Sequence, residues 1–184
     1  DLLSSWPKYA VRGNHEAMLF RVIESSNCLV PIESKYGSGL RQALHRLTDD
    51  HLAWLHSLPE RATIEISGVR ILLAHGAPWD GDCYLYPDAA EENWSRVADE
   101  NFDLVVLGHT HYRFQHRVGR TLIVNPGSVG QARDRIVGAA WAIFDSEDMV
   151  CEQLTEPYDI SVVVEEARTH DPDKLYLQEV LTRR

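Results

Sequence analysis

The chain has 184 residues, 44% of them apolar and 25% charged, which suits one globular domain burying roughly two-thirds of its unfolded surface. Its net charge of −10 argues against a long nucleic acid as partner, because phosphate backbones demand clustered Lys and Arg, yet leaves room for a small phosphorylated substrate offset by bound cations. No apolar run reaches the ~18 residues of a bilayer span, so no membrane partner is expected, and the three scattered cysteines (Cys28, Cys83, Cys151) point to reduced thiols and a cytoplasmic setting.

Residues 1–7 read as the tail of a helix. Tyr9-Ala10-Val11-Arg12 reads as a short strand that ends at a Gly-Asn turn. A helical run covers Ala17 to Ile23, and 32–39, with Gly37 and Gly39, reads as a loop. Leu40, Ala43, Leu44 and Leu47 recur at helical spacing, and Thr48-Asp49-Asp50 supplies an N-cap for a helix ending near Leu58-Pro59. Strands are predicted at 63–67 and 70–74 about a turn at Gly68-Val69. The second contains Ile71-Leu72-Leu73-Ala74, apolar on both faces, and runs into His75-Gly76.

A loop rich in Gly, Asp and Tyr follows over 78–88, then a helix over 91–100. Leu104-Val105-Val106-Leu107 is a second buried strand, running into Gly108-His109-Thr110-His111. Beyond it the pattern predicts strands at 112–118, 121–124, 138–144 and 150–156, and helices at 159–169 and 174–181. This order predicts a single α/β domain over 1–184, a β-sandwich flanked by helices.

Three loops carry the chemistry. Asn14 with His15, His75, and His109 with His111 each follow a predicted strand, and ligands in α/β sheets bind beyond the carboxyl ends of strands. Neutral imidazole is the commonest nitrogen ligand and an Asn carbonyl is a hard oxygen ligand. In an extended turn His109 and His111 would emerge on one side, able to serve two ions ~3.5–4 Å apart. Gly13 and Gly108 precede the ligands, as a tight turn with unusual backbone angles requires. The other histidines read as structural. His51 and His56 are five apart on a helix and cannot share a metal, His45 and His170 read as exposed, and His116 alternates in phase with Phe114 and Val118 on a strand face. Arg12 and the loop 80–88 could border a substrate phosphate, or be solvated surface.

Taken together, Val11-Arg12-Gly13-Asn14-His15-Glu16, Leu73-Ala74-His75-Gly76 and Leu107-Gly108-His109-Thr110-His111 resemble the last three motifs of the calcineurin-like metallophosphoesterases. Val124-Asn125-Pro126-Gly127-Ser128-Val129-Gly130 further resembles their compact bacterial and archaeal branch of predicted phosphodiesterases. The resemblance implies that Asn14, His75 and His109 ligate one divalent ion and His111 another. It makes His15 a catalytic group over the scissile phosphate, as general acid or transition-state stabiliser. It also implies hydrolysis of phosphodiesters or phosphomonoesters by a hydroxide activated between two metals, with Mn²⁺ expected and Fe, Zn or Ni as alternatives.

The family's Asp-x-His and Gly-Asp motifs, which should precede Gly13, do not occur in these 184 residues. Asp1 is a poor candidate for the second, because seven residues between Asp1 and Tyr9 are too few for a parallel crossover. The absent segment would be two β-α units, on the order of 50–60 residues, so these residues alone are expected to be inactive or weakly active. The competing expectation is a non-catalytic protein-binding module on the same fold, as a retromer subunit resembles. The sequence leaves the oligomeric state open.

Overall fold

The computed structural model describes residues 5–183; Asp1 and the first residues of the expected helix tail lie outside them. The long apolar runs become neighbouring strands. Strands β1 (Arg61–Ile66) and β2 (Val69–Ala74) form an antiparallel hairpin. Its turn residues Ser67 and Gly68 have φ of 52° and 80°, the paired positive angles that match strand twist in a two-residue turn. Strand β2 lies parallel to β3 (Leu104–Val106), which lies parallel to β5 (Thr121–Asn125), while β4 (Phe114–Val118) closes the edge antiparallel to β5. The five-stranded order is β1-β2-β3-β5-β4.

Both faces of this sheet are covered, which is why its central strands lack polar alternation. On one face the fully buried Leu72, Val105 and Ile123 pack with Trp94 and Val97 of helix α5 (Glu91–Ala98), and with Phe114. Burying each such side chain contributes roughly 1.5–3 kcal/mol. On the other face Ile71, Leu104, Leu122 and Val124 meet Cys151, Ala142 and Phe144. These last three come from a two-stranded antiparallel sheet, β6 (Ala139–Asp145) and β7 (Val150–Glu156). The predicted sandwich is therefore present.

Side chains latch the two sheets together. Gln153 on β7 donates through Nε2 to the carbonyls of Phe114 (3.1 Å) and Asn125 (2.8 Å). The buried Arg113 donates from Nε to Asp134 Oδ2 at 2.5 Å and from Nη1 to the Thr155 hydroxyl of β7. Burial alone would raise the Asp134 carboxyl, but hydrogen bonding and charge from Arg113 outweigh it and hold the group below the usual range.

Four helices precede the sheet: α1 (Asn14–Glu24), α2 (Leu29–Tyr36), α3 (Gly39–Arg46) and α4 (Asp49–Ser57). The Thr48 cap of α4 is as expected, and His51 completes it: its backbone N–H donates to Thr48 Oγ1 at 3.3 Å while its ring accepts from Thr48 N at 3.2 Å. Helices α6 (Ile160–His170) and α7 (Leu175–Glu179) close the chain. His45 and His170 are exposed, as read from the sequence, and His116 stacks on Trp94 at 4.7 Å. Among the described residues no helix is long and apolar enough to cross a membrane.

Two sequence expectations are corrected. The segment 32–39 is not a loop: its first five residues belong to α2, where Pro31 lies in the first turn and its missing N–H breaks no helical bond. Gly37, at φ 84°, ends that helix instead of marking a longer irregular stretch. Nor is Tyr9–Arg12 a strand. It enters no ladder among the described residues, and Arg12 N instead donates to the Pro59 carbonyl at 2.8 Å.

Candidate metal centre

Strands β2, β3 and β5 are mutually parallel, so their carboxyl ends share one edge. His75 leaves β2 there, Gly108–His111 leaves β3, and Asn125 ends β5. A bond from Gly108 N to the His75 carbonyl (2.8 Å) keeps the first two exits in contact. Asn14 and His15 arrive differently from the sequence expectation: they open helix α1 and do not end a strand. The Gly13 N–H donates to the Glu16 carboxylate at 2.8 Å, which caps this first turn.

The sequence assigns unusual backbone angles to Gly13 and Gly108, and the structure moves them to the histidines. Gly13 has φ −98° and ψ 178°, open to any residue. Its requirement is space, because a Cβ there would lie 2.9 Å from His75 Cε1 and 3.0 Å from His75 Nδ1. The left-handed residues are His109 (φ 62°) and His111 (φ 61°), so this segment is not the extended turn expected. Such angles cost of order 1–3 kcal/mol each and persist only where the surroundings impose them. Asn125 braces the residues that flank His109. It is fully buried, and its Nδ2 donates to the Gly108 carbonyl (2.6 Å) and Thr110 Oγ1 (3.1 Å) while its Oδ1 accepts from Gly127 N (2.9 Å).

Three predicted ligands meet. His75 Nε2 lies 2.9 Å from Asn14 Oδ1 and 3.0 Å from His109 Nδ1. The backbone determines which nitrogens face this point. A carbonyl oxygen only accepts, so His109 Nε2, 3.2 Å from the Asp82 carbonyl, carries the proton, and in the neutral ring Nδ1 presents a lone pair. By the same logic His111 donates from Nδ1 to the Gln131 carbonyl at 2.8 Å and leaves Nε2 free. Handing one N–H to a carbonyl while the other nitrogen stays basic is the usual state of a metal-bound histidine.

Burial favours neutral rings. It is the largest cause that lowers His75 to a pKa of about 4, with His109 adding to it. Burial also lowers His109 and, together with the Arg133 charge, His111. All three are therefore unprotonated at pH 7, as a ligand must be. Donors on adjacent coordination positions ~2.1 Å from an octahedral ion are separated by roughly 3 Å, the spacing of His75 Nε2 from Asn14 Oδ1 and from His109 Nδ1. Among the described residues no three His, Cys, Asp or Glu side chains form a group able to hold a metal ion, and a third donor beside His75 and His109 would have to be the Asn14 oxygen.

His111 is held apart from the trio by Gln131, within electrostatic reach of His109. His15 is exposed on the first turn of α1, edge-on to Tyr36 at 5.5 Å. Beside the trio lies a cleft of about 630 Å³ lined by Arg12, Arg21, Arg61 and Asp82, with Arg12 paired to Glu60 at 3.3 Å. Sequence reading missed Asn125 as a support of the centre, although the Asn-Pro-Gly signature was visible as a turn. It also missed the Asp82 and Gln131 carbonyls, for which no side-chain identity gives a signal.

Parallel strands whose exits gather histidines at one sheet edge suit a metallophosphoesterase framework. Residues 1–149 match the calcineurin-like phosphoesterase superfamily domain, and the chain belongs to that superfamily, whose members bind divalent metals. It is 30% identical over 139 residues to uncharacterized protein MJ0912 of Methanocaldococcus jannaschii, a match covering 65% of this chain and 54% of the relative. The chain thus spans about half the length of that curated relative. Its fold superposes on the crystal structure of hypothetical protein PH1004 from Pyrococcus horikoshii OT3 with a TM-score of 0.80, at 15% identity, over 98% of this chain and 75% of the other. The metallophosphoesterase from Sphaerobacter thermophilus aligns with a TM-score of 0.70, at 23% identity, over 96% of this chain and 77% of its own. At these identities the structural likeness is one of fold.

Proposed function

We propose that this chain supplies part of the catalytic centre of a metal-dependent phosphoesterase that cleaves phosphodiesters or phosphomonoesters. The supporting observation is the meeting of Asn14 Oδ1, His75 Nε2 and His109 Nδ1 at 2.9–3.0 Å, with the His109 tautomer set by a backbone carbonyl. These three residues would hold one divalent ion and His111 a second, Mn²⁺ being the first to test, before Fe, Zn and Ni. Two such ions lower the pKa of water toward about 7 and neutralise phosphoryl charge.

The chain's own residues supply the rest. His15, on the positive end of α1, donates a hydrogen bond to a phosphoryl oxygen or a proton to the leaving oxygen. Neutral His109 keeps its Nδ1 lone pair for the ion at physiological pH, and neutral His75 offers Nε2 once its proton sits on Nδ1. The three free cysteines favour a reducing, cytoplasmic setting.

The test uses the intact protein with Mn²⁺ and bis(4-nitrophenyl) phosphate. His15→Ala should lower turnover by about 10²–10⁴-fold with its metal content unchanged, and His109→Ala should lose both metal and turnover. Unchanged turnover in both variants overturns the proposal. A second reading, a non-catalytic binding module, draws on the lack of a three-residue His, Cys, Asp or Glu cluster among the described residues. Metal analysis separates the two: a stoichiometric pair of ions supports the enzyme, and none under Mn²⁺ saturation supports the module.

A further inference from the structure

The histidine trio continues outward as a run of aromatic rings. Tyr84 lies against His109, ring centroids 3.8 Å apart at 33°. Tyr86 is nearly parallel to Tyr84, 5.8 Å away at 10°, and meets Tyr112 edge-on at 5.4 Å. Rings that merely roofed a metal centre would be buried, yet Tyr84 is 45% and Tyr86 38% exposed. Both stand on the 77–90 stretch whose Asp82 carbonyl orients His109, so the platform is fixed relative to the lone pair that would face an ion.

A cation stands beside His111. Arg133 follows the Gln131 carbonyl that holds His111, and its own N–H donates to the His111 carbonyl at 3.2 Å. Its Nη2 donates to Gln131 Oε1 at 2.9 Å, while its Nε is buried without a partner. A buried guanidinium N–H left unsatisfied is costly and awaits an acceptor. The backbone bond to His111 holds Arg133 beside that histidine, and its guanidinium carbon lies 5.7 Å from the ring centroid of Tyr176.

We propose that the substrate is a phosphoester carrying a flat aromatic ring of nucleobase type, with its phosphate at the histidines and Arg133 and its ring on Tyr84 and Tyr86. This rests on the phosphoesterase reading and names its substrate class. Stacking tolerates any base, because every base presents a π-face, and a guanidinium matches phosphate oxygens through a planar fork of donors. The acidic surface restricts the ligand to a mononucleotide or short dinucleotide and disfavours a long strand.

Calorimetry on the intact, metal-free protein would compare AMP with ribose 5-phosphate, which share the phosphate and sugar and differ in the base. AMP should bind about 10–100-fold more tightly. Tyr86→Leu should collapse that ratio toward one, Tyr86→Trp should keep it, and Arg133→Gln should weaken both ligands together. Equal binding of the two by the unaltered protein overturns the inference, as does a ratio that survives Tyr86→Leu. Hydrolysis of bis(4-nitrophenyl) phosphate by a protein showing no base preference would sink this inference and spare the phosphoesterase reading. Absence of both hydrolysis and phosphate binding would sink both.

Discussion

Replacing Asn125 by Asp tests whether the strained histidine segment is imposed from β5. The change is isosteric and removes no contact by size. It converts the amide nitrogen, donor to the Gly108 carbonyl at 2.6 Å and to Thr110 Oγ1 at 3.1 Å, into a second acceptor. The Gly127 N–H can still donate to the remaining oxygen. The Thr110 hydroxyl can rotate to donate, but the Gly108 carbonyl is left facing an oxygen in a fully buried site. One unsatisfied buried group costs ~1–3 kcal/mol and the lost bond about 1 more, so the expected destabilisation at pH 7 is ~2–4 kcal/mol. The penalty must depend on pH. Protonation restores a donor, so burial and the facing carbonyl raise the introduced carboxyl's pKa in the fold above its unfolded ~3.9. The penalty is then absent below that unfolded value and grows as pH rises through it. Urea denaturation at pH 4 and pH 7, read by tryptophan fluorescence, would measure both quantities. A loss under 1 kcal/mol, or an equal loss at the two pH values, refutes the assignment of Asn125 as the support.

Two further predictions concern the trio itself. Gly13→Ala places a methyl 2.9 Å from His75 Cε1 and must displace that ring, with overpacking worth ~1–3 kcal/mol. Mn²⁺ affinity by titration calorimetry should fall by about 10-fold or more, and wild-type affinity would show that space at Gly13 is not limiting. For the metal-free protein, a His75 pKa near 4 in the fold, below the unfolded 6.5, means that folding favours the neutral ring. Its contribution is complete above pH 6.5 and is lost as pH falls toward 4, an effect of about 1–2 kcal/mol once solvent screening is allowed for. His75→Asn should flatten the stability profile between pH 4.5 and 7.5, and an unaltered slope would contradict the ring's burial.

Much of the fold could be read from the chain because burial on two faces leaves a plain signature. Ile71-Leu72-Leu73-Ala74 and Leu104-Val105-Val106 have no polar alternation, and both are central strands. The histidines at their exits were legible for the same reason, since a strand end fixes where the next residue emerges. Helix α2 was obscured by Pro31 and the two glycines after it, whose positional meaning depends on where the helix starts. Tyr9–Arg12 has the composition of a strand, but pairing is a property of neighbours and not of the segment. Within the centre, His109 and His111 gave no hint of positive φ, because their contacts come from distant residues: Asn125 on the flanking Gly108 and Thr110, and the carbonyls of Asp82 and Gln131.

The donors that orient His109 and His111 meet main-chain oxygens, those of Asp82 and Gln131. A main-chain oxygen is present whatever residue occupies the position, so single substitutions at Asp82 or Gln131 leave the acceptor in place. What sets its location is the number of residues in the loop, pinned by Ala77 N to the Cys83 carbonyl at 3.1 Å and by Cys83 N to the Asp80 carbonyl at 3.1 Å. The proton arrangement of this centre is thus written in loop length more than in residue identity. Removing one residue between Ala77 and Cys83 would rotate the imidazole that no point change there can turn, and variation of this kind would be seen as insertions and deletions, with the ligand residues themselves unaltered.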